Sequence, residues 1–339
     1  MKQYDFQDIR NVGLVGHGGS GKTSAAEAIL FLSGVNDRLG KVGDTSSIMD
    51  YDPDEVQRGS SVNASIAFYE WDKKKINLLD TPGDSNFIAD TPASLRVVDG
   101  AVIVISAVDG IQFYTEKVWK WATEQSIPKI IFINKVDQEQ ANIASVLESI
   151  KRKFNANPLC VHVPIGDGEN FSGVVDVLTN KSYIYQKDGS GKNKVDVIPG
   201  AMVEEVKSTF AELTESVAEV DDELTENYLE NGELSEQEFS IGLKKGLKEG
   251  KLLPVFLGAA TQNIGVDLLM NAIIEFLPSP GQRGPVMGKN PKDGSEKSCD
   301  VDPKSTLSAL VFKTVADPYA GKLTLFRVFS GVLKGDSSV

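Results

Sequence analysis

Eight consecutive residues, Gly16-His17-Gly18-Gly19-Ser20-Gly21-Lys22-Thr23, fill every fixed position of the pattern G-x-x-x-x-G-K-[ST]. Residues of these types at this spacing hold phosphate. Four glycines let the backbone curl so that successive N–H groups point inward at an anion. Lys22 is placed to reach the β- and γ-phosphates of a nucleoside triphosphate and the Thr23 hydroxyl to ligate Mg²⁺, and Ser24 completes the nucleotide-binding run. The bland alternative is a glycine-rich turn with an accidental lysine, and the flanking sequence argues against it.

Two further groups follow in chain order. Residues 75–79 read as a strand that runs straight into Asp80-Thr81-Pro82-Gly83. An acid at the end of an apolar strand can hold a Mg²⁺-bound water, and Gly83 can offer an unobstructed N–H to a γ-phosphate. A plain turn also favours Asp, Pro and Gly, so this group gains its meaning from Lys22. Asn134-Lys135-Val136-Asp137 ends a second apolar run. There Asp137 can accept hydrogen bonds from guanine N1–H and the exocyclic amine. Adenine lacks both donors and would leave the acid unpaired, at a cost of about 1–3 kcal/mol. Asn134 is assigned to the base edge and the pocket walls, and the Lys135 stem to the ring face. Together the groups predict GTP or GDP with Mg²⁺ and leave an ATPase as a minor alternative.

Positioning these groups requires strands that end where the loops begin. The run Ile9–Val15 reads as a strand and 23–32 as a helix stopped at Ser33-Gly34, so the helix N-terminus would lie beneath the phosphates. Residues 64–71 and 75–79 form a hairpin candidate around Asp72-Lys73-Lys74. The unbroken apolar runs 101–107 and 129–133 suit parallel strands buried on both faces, and 114–125 reads as a helix with Trp121 packed in the core. Residues 34–63, with clustered Asp50, Asp52, Asp54 and Glu55, show no sustained periodicity and read as a long mobile loop. The expected fold class is α/β, a doubly wound, mostly parallel sheet of the phosphate-loop GTPase kind.

Composition bounds the setting. A net charge of −13 over 339 residues argues against a broad electrostatic embrace of nucleic acid, and no sequence-specific nucleic-acid target is expected. It leaves room for a large partner with its own basic protein surface. Cys160 and Cys299 lie far apart and match no metal spacing, which favours a reducing, cytoplasmic compartment. Nothing before the first strand reads as a signal peptide. The most apolar stretch, 97–108, carries Asp99 and is too short to span a bilayer, so no membrane association is expected. A monomer is expected.

At this point the chain closely resembles elongation factor G, a translational GTPase, over nearly its whole length. Gly40-Lys41-Val42 through Met49-Asp50 to Gln57-Arg58-Gly59 resembles that family's first switch loop. Pro164-Ile165-Gly166 with Phe171-Ser172-Gly173-Val174-Val175-Asp176 is similar to the start of its inserted subdomain. Gly258-Ala259-Ala260 resembles its guanine-contacting loop, and Glu275-Phe276-Leu277-Pro278-Ser279-Pro280 the close of its nucleotide domain. Ala316-Asp317-Pro318-Tyr319 through Phe329-Ser330-Gly331-Val332-Leu333 resembles the opening strands of its second domain, a β-barrel.

The resemblance implies GTP hydrolysis on the ribosome, with Ser61 in the place of the Mg²⁺-ligating switch threonine and Ala259 where serine is common. Asp84 stands where the family usually has the histidine that positions the attacking water. An ionised carboxylate there cannot donate a hydrogen bond and is repelled by a triphosphate. The resemblance therefore implies a divergent paralogue with catalysis resting on Lys22, Gly83 and Asp84. It leaves open a GTP-dependent ribosome-binding switch with little or no hydrolysis, or a ribosome-protection or ribosome-splitting factor.

The expected organisation is a nucleotide domain in two parts, 1–157 and 255–285, an inserted α/β subdomain at 158–254, and a linker with the first barrel strands at 286–339. In the insertion, Val203, Val206, Phe210, Leu213 and Val217 define one amphipathic helix. Ser235 with Glu238 forms a capping box ahead of another. From 204 to 238 carboxylates abound and Lys207 is the only basic residue. A solvated acidic face is the plainer reading; the resemblance implies a surface facing the ribosomal stalk protein. Residues 281–304 read as a polar linker. Two strands, 308–314 and 323–330, cannot build a barrel core, so the sequence is expected to be a fragment of a longer protein that does not translocate by itself.

Overall fold

The computed structural model describes residues 2, 4–317 and 321–335. The chain opens with β1 (Ile9–Val15) and α1 (Lys22–Leu32). A long connection carries the short α2 (Pro53–Arg58) into a hairpin of β2 (Ser65–Trp71) and β3 (Lys74–Asp80). Asp72 and Lys73 alone make the turn, with φ of 41° and 62°, the pair of positive angles that a two-residue hairpin loop requires. Lys74 already belongs to β3. Next come α3 (Asp90–Leu95), β4 (Gly100–Ser106), α4 (Phe113–Glu124), β5 (Lys129–Asn134), α5 (Ile143–Phe154) and β6 (Asn157–Cys160).

An excursion follows: β7 (His162–Ile165), β8 (Gly173–Asp176), β9 (Lys181–Tyr185) and β10 (Asn193–Asp196), then α6 (Val203–Ala218), α7 (Asp222–Asn231) and α8 (Glu236–Glu249). β11 (Leu252–Leu257) and α9 (Val266–Phe276) return to the main body and α10 (Pro280–Arg283) closes it. The chain continues as two hairpins, β12 (Val286–Lys289) with β13 (Glu296–Cys299), and β14 (Ser308–Asp317) with β15 (Gly321–Ser330).

The central sheet has seven strands in the order β2-β3-β1-β4-β5-β11-β6. Only β2 runs antiparallel to its neighbour; the other pairings are parallel. Every residue of β4 and of β11 is buried, which is why β4 reads as an unbroken apolar run. One face packs Ala25 and Ile29 of α1 with Leu269 and Ile273 of α9. The other packs Val118 and Ala122 of α4 with Val146 and Ile150 of α5. The sheet is thus covered on both sides, and its strand order reverses around β1 and β4, where a doubly wound sheet opens a crevice at its carboxyl edge.

Several features differ from the sequence reading. Residues 34–63 carry α2, started by a capping box in which Asp52 accepts from the Asp54 amide while Glu55 reaches back to the Asp52 amide. Leu252 pairs with Asn157 and Val255 with Cys160, so β6 is an edge strand of the central sheet. The four-stranded antiparallel sheet of the excursion begins only at His162. The polar stretch 281–304 contains the hairpin β12–β13. Pro318 and Tyr319 lie outside the described residues. In α6, Val206, Leu213 and Val217 are buried, whereas Phe210 is half-exposed and stacks on Phe239 with ring centroids 5.7 Å apart.

Candidate nucleotide site

The loops after β1, β3 and β5 meet around a cavity of about 710 Å³, a volume suited to a nucleotide-sized ligand. Its walls include the glycine loop from His17 to Ser24 except Ser20, together with Ser61, Gly83, Asp84, Tyr114 and Lys135. Gly16, at the foot of the loop, packs against the Val104 backbone. Gly18 N–H donates to Gly83 O at 2.8 Å, joining the loop to the Asp-Thr-Pro-Gly turn. A Cβ at Gly83 would lie 2.4 Å from Lys22 Nζ, and one at Gly21 would lie 2.1 Å from Asn134 Nδ2. Neither position admits a side chain without moving the lysine or the asparagine.

Lys22, buried at the start of α1, donates from Nζ to His17 O at 2.9 Å. Burial lowers its pKa while Asp80 and Asp50 pull it back up. Thr23 Oγ1 donates to Asp80 Oδ2 at 2.6 Å and lies 2.9 Å from Ser61 Oγ. Burial pushes the Asp80 carboxyl up to about 7, against the pull of Lys22 and Thr23. Its Oδ1 is buried and has no partner. Thr23, Ser61 and Asp80, the three residues assigned to a metal from the sequence, are therefore brought together. Asp50 joins them: both of its oxygens are buried without a hydrogen-bond partner of ordinary geometry, and burial raises it to about 6 although the nearby Ser61 hydroxyl draws it down. Hard oxygens with unfilled lone pairs fit a Mg²⁺ ion.

Asn134 is 2 % exposed and spends both ends of its amide on backbone: Nδ2 donates to Ser20 O at 2.9 Å and Oδ1 accepts from Ala260 N at 2.9 Å. It thus buckles the glycine loop to the 258–260 loop, and its second Nδ2 hydrogen is left for the base edge read for it. Val136 N–H donates to Gly258 O at 3.2 Å and Gly258 N–H to Ile133 O at 3.0 Å, while Ala259 and Ile264 pair across that loop. The Asn-Lys-x-Asp turn and Gly258-Ala259-Ala260 are one unit. Lys135, at φ 65°, reaches the cavity wall; Asp137 is half-buried just outside the walls. Asp84 is exposed, and its Oδ1 accepts from Asn86 N at 2.8 Å, capping the short turn that follows. That carboxylate serves its own backbone. His17 sets its ring edge toward Tyr114, and burial followed by Lys22 keeps its pKa below the ordinary value.

The clamping roles of two carboxylates are not legible in the sequence. Glu27, fully buried in α1, accepts at Oε1 from Ser47 Oγ (2.6 Å), Ile48 N (2.7 Å) and Met49 N (2.8 Å). Glu55 accepts at Oε1 from Val62 N (2.9 Å) and Asn63 N (3.0 Å). They clamp the two ends of the 47–63 connection and so place Asp50 and Ser61. The signal for Glu27 was a lone acid among Ala, Ile and Leu in a helix that the fold buries.

A glycine loop between a parallel strand and a helix, a strand-end aspartate on the helix threonine, and a second loop pair tied to the glycine loop define a phosphate-loop nucleotide-binding protein. Residues 7–279 match the family described as the elongation factor Tu GTP binding domain, and the chain belongs to that family. It is also similar to a crystal structure of a protein from Thermus thermophilus, at 29 % identity and a TM-score of 0.82. That match covers 96 % of this chain and 46 % of the Thermus chain, so the chain spans about half the length of the structure it matches. Among the described residues no helix is long and apolar enough to cross a membrane, and both cysteines are unbridged.

Proposed function

We propose that the chain binds GTP and GDP with Mg²⁺, hydrolyses GTP, and acts on the ribosome in the cytoplasm as an elongation factor G-like translational GTPase. The observation that carries the chemistry is the oxygen cluster of Thr23, Ser61, Asp80 and Asp50 beside the buried Lys22. Those residues would hold the ion, which when bound supplies charge neutralisation on the phosphates. Lys22 would leave the His17 carbonyl for a phosphate oxygen, and Gly83 would offer its N–H to the γ-phosphate, where a side chain has no room. Asp137 would accept from guanine. Family membership and the elongation factor G resemblance support the ribosome as partner, with the acidic helices α6 and α7 facing its stalk protein.

A specific observation favours a second reading, a nucleotide-dependent binding switch with weak hydrolysis: Asp84 is spent on the Asn86 amide and offers no donor to an attacking water. Phosphate release from GTP, with and without ribosomes, decides between them for wild type and Asp84→His. Stimulated release by wild type supports the enzyme. Release only by Asp84→His supports the switch, and saturable GTP binding by neither would overturn both.

A further inference from the structure

The hairpin β14–β15 lies outside the nucleotide-binding unit yet reaches back to it through two ion pairs of different kinds. Arg327 of β15 donates from Nη2 to Asp99 Oδ1 at 2.7 Å and from Nη1 to Val97 O at 2.8 Å. Asp99 is fully buried, is held by Asn11 Nδ2 at 2.7 Å, and its own amide donates to Asn11 O. That anchor grips the sheet. Lys313 of β14 grips the loops instead. Its side chain is 11 % exposed, and its Nζ lies 2.7 Å from Asp90 Oδ2, 2.9 Å from Ala64 O and 3.4 Å from Asn63 Oδ1.

Asp90 Oδ2 accepts in addition from Ala64 N at 2.9 Å. One ammonium therefore ties together the strand-side end of the connection that carries Ser61 and the helix that follows Asp84. Glu55 Oε1 holds the Val62 and Asn63 amides. The Glu55 clamp and the Lys313 knot thus both engage the backbone that follows Ser61. The Asp90 side chain is 32 % exposed, so the knot is half-buried; a charge-assisted donor with several acceptors there still outweighs a neutral contact, and removing it leaves Asp90 and the Ala64 carbonyl without their cation.

We infer that Lys313 is a positioning residue for the nucleotide site, holding segment 61–64 against the start of α3 so that Ser61 stays at the oxygen cluster beside Thr23. The state of the loops and the docking of β14–β15 are then one equilibrium. By linkage, whatever docking contributes to nucleotide binding the nucleotide must return to docking. This inference rests on the proposed GTP site for its functional meaning, but its structural core can be read without any nucleotide.

The test is amide hydrogen exchange on the whole chain for wild type, Lys313→Met and Lys313→Arg, first without ligand. Lys313→Met is expected to speed exchange over 61–64 and 85–90 by roughly tenfold while leaving α1 and β11 unchanged, and Lys313→Arg to restore most of the protection. Unchanged exchange over 61–64, or an equal loss everywhere, would overturn the inference, the latter making Lys313 a contributor to general stability only. If Lys313→Met does not fold, Lys313→Gln with the same readout replaces it. With GTP and Mg²⁺ added, wild-type β14 should exchange more slowly and Lys313→Met should bind Mg²⁺·GTP roughly tenfold more weakly. A wild-type chain that shows the ligand-free pattern but binds no GTP would defeat the functional proposal and leave the knot standing.

Discussion

Thr23 is the residue at which several demands converge, because its one hydroxyl serves Asp80 and Ser61 at hydrogen-bond distance. Thr23→Ala removes that oxygen and should weaken Mg²⁺-dependent GTP binding by at least about tenfold while leaving Mg²⁺-free binding nearly unchanged. Titration with and without a chelator reads the difference. Glu27 makes the opposite kind of contribution, holding the loop without touching the cavity. Glu27→Ala would strand Ser47 Oγ and the Ile48 and Met49 amides in a buried setting. A loss of about 3 kcal/mol in urea unfolding is expected, with Glu27→Gln intermediate. A change under about 0.5 kcal/mol for Glu27→Ala would show that the loop is not clamped there.

At the scale of elements, the joint between β11 and the excursion carries a titration. His162 at the start of β7 is buried, its Nδ1 accepts from Leu257 N at 3.2 Å, and burial lowers its pKa to about 4 although Asp176 pulls upward. A histidine whose folded pKa lies below its ordinary value contributes stability that is fully present above about pH 6.5. It is lost as pH falls toward 4, because the unfolded chain takes up the proton first. The loss should be on the order of 3 kcal/mol. His162→Leu should be less stable at pH 7, where the Leu257 amide is left unpaired, and should show a flatter decline between pH 6.5 and 4. An identical slope in both proteins would place the acid sensitivity elsewhere.

Elements were legible where chemistry is local. The glycine loop, the strand ending in Asp80, the apolar runs of β4 and β5 and the capping box at Ser235 and Glu238 all declare themselves within a few residues. What escaped depends on long-range closure. The pairing of β6 with β11 joins residues on opposite sides of the excursion. The Asn134 bridge needs Ser20 and Ala260 brought together, and the order of residues 47–63 depends on Glu27 from another element. The Asp52 and Glu55 cap on α2 was local and could have been read from Asp-Pro-Asp-Glu.

For the whole molecule, charge is the leading variable. The net −13 is concentrated in part on α6 and α7, where Lys207 is already paired with Glu204 at 3.2 Å. If this face meets a partner, reversing Glu212, Glu215, Glu226 and Glu230 to lysine should cut ribosome-stimulated phosphate release several-fold and make the remainder less sensitive to salt. GTP affinity should not change. Equal stimulation before and after reversal would return these helices to the role of a solvated acidic surface.

Whether a guanine nucleotide is held with Mg²⁺ in the crevice at β1 and β4 is read by equilibrium titration of the chain with GTP and with ATP in Mg²⁺. Saturable GTP binding is expected, with ATP weaker by on the order of tenfold to a hundredfold and that preference lost in Asp137→Ala. Equal affinity for the two nucleotides, or no saturation with either, would contradict it.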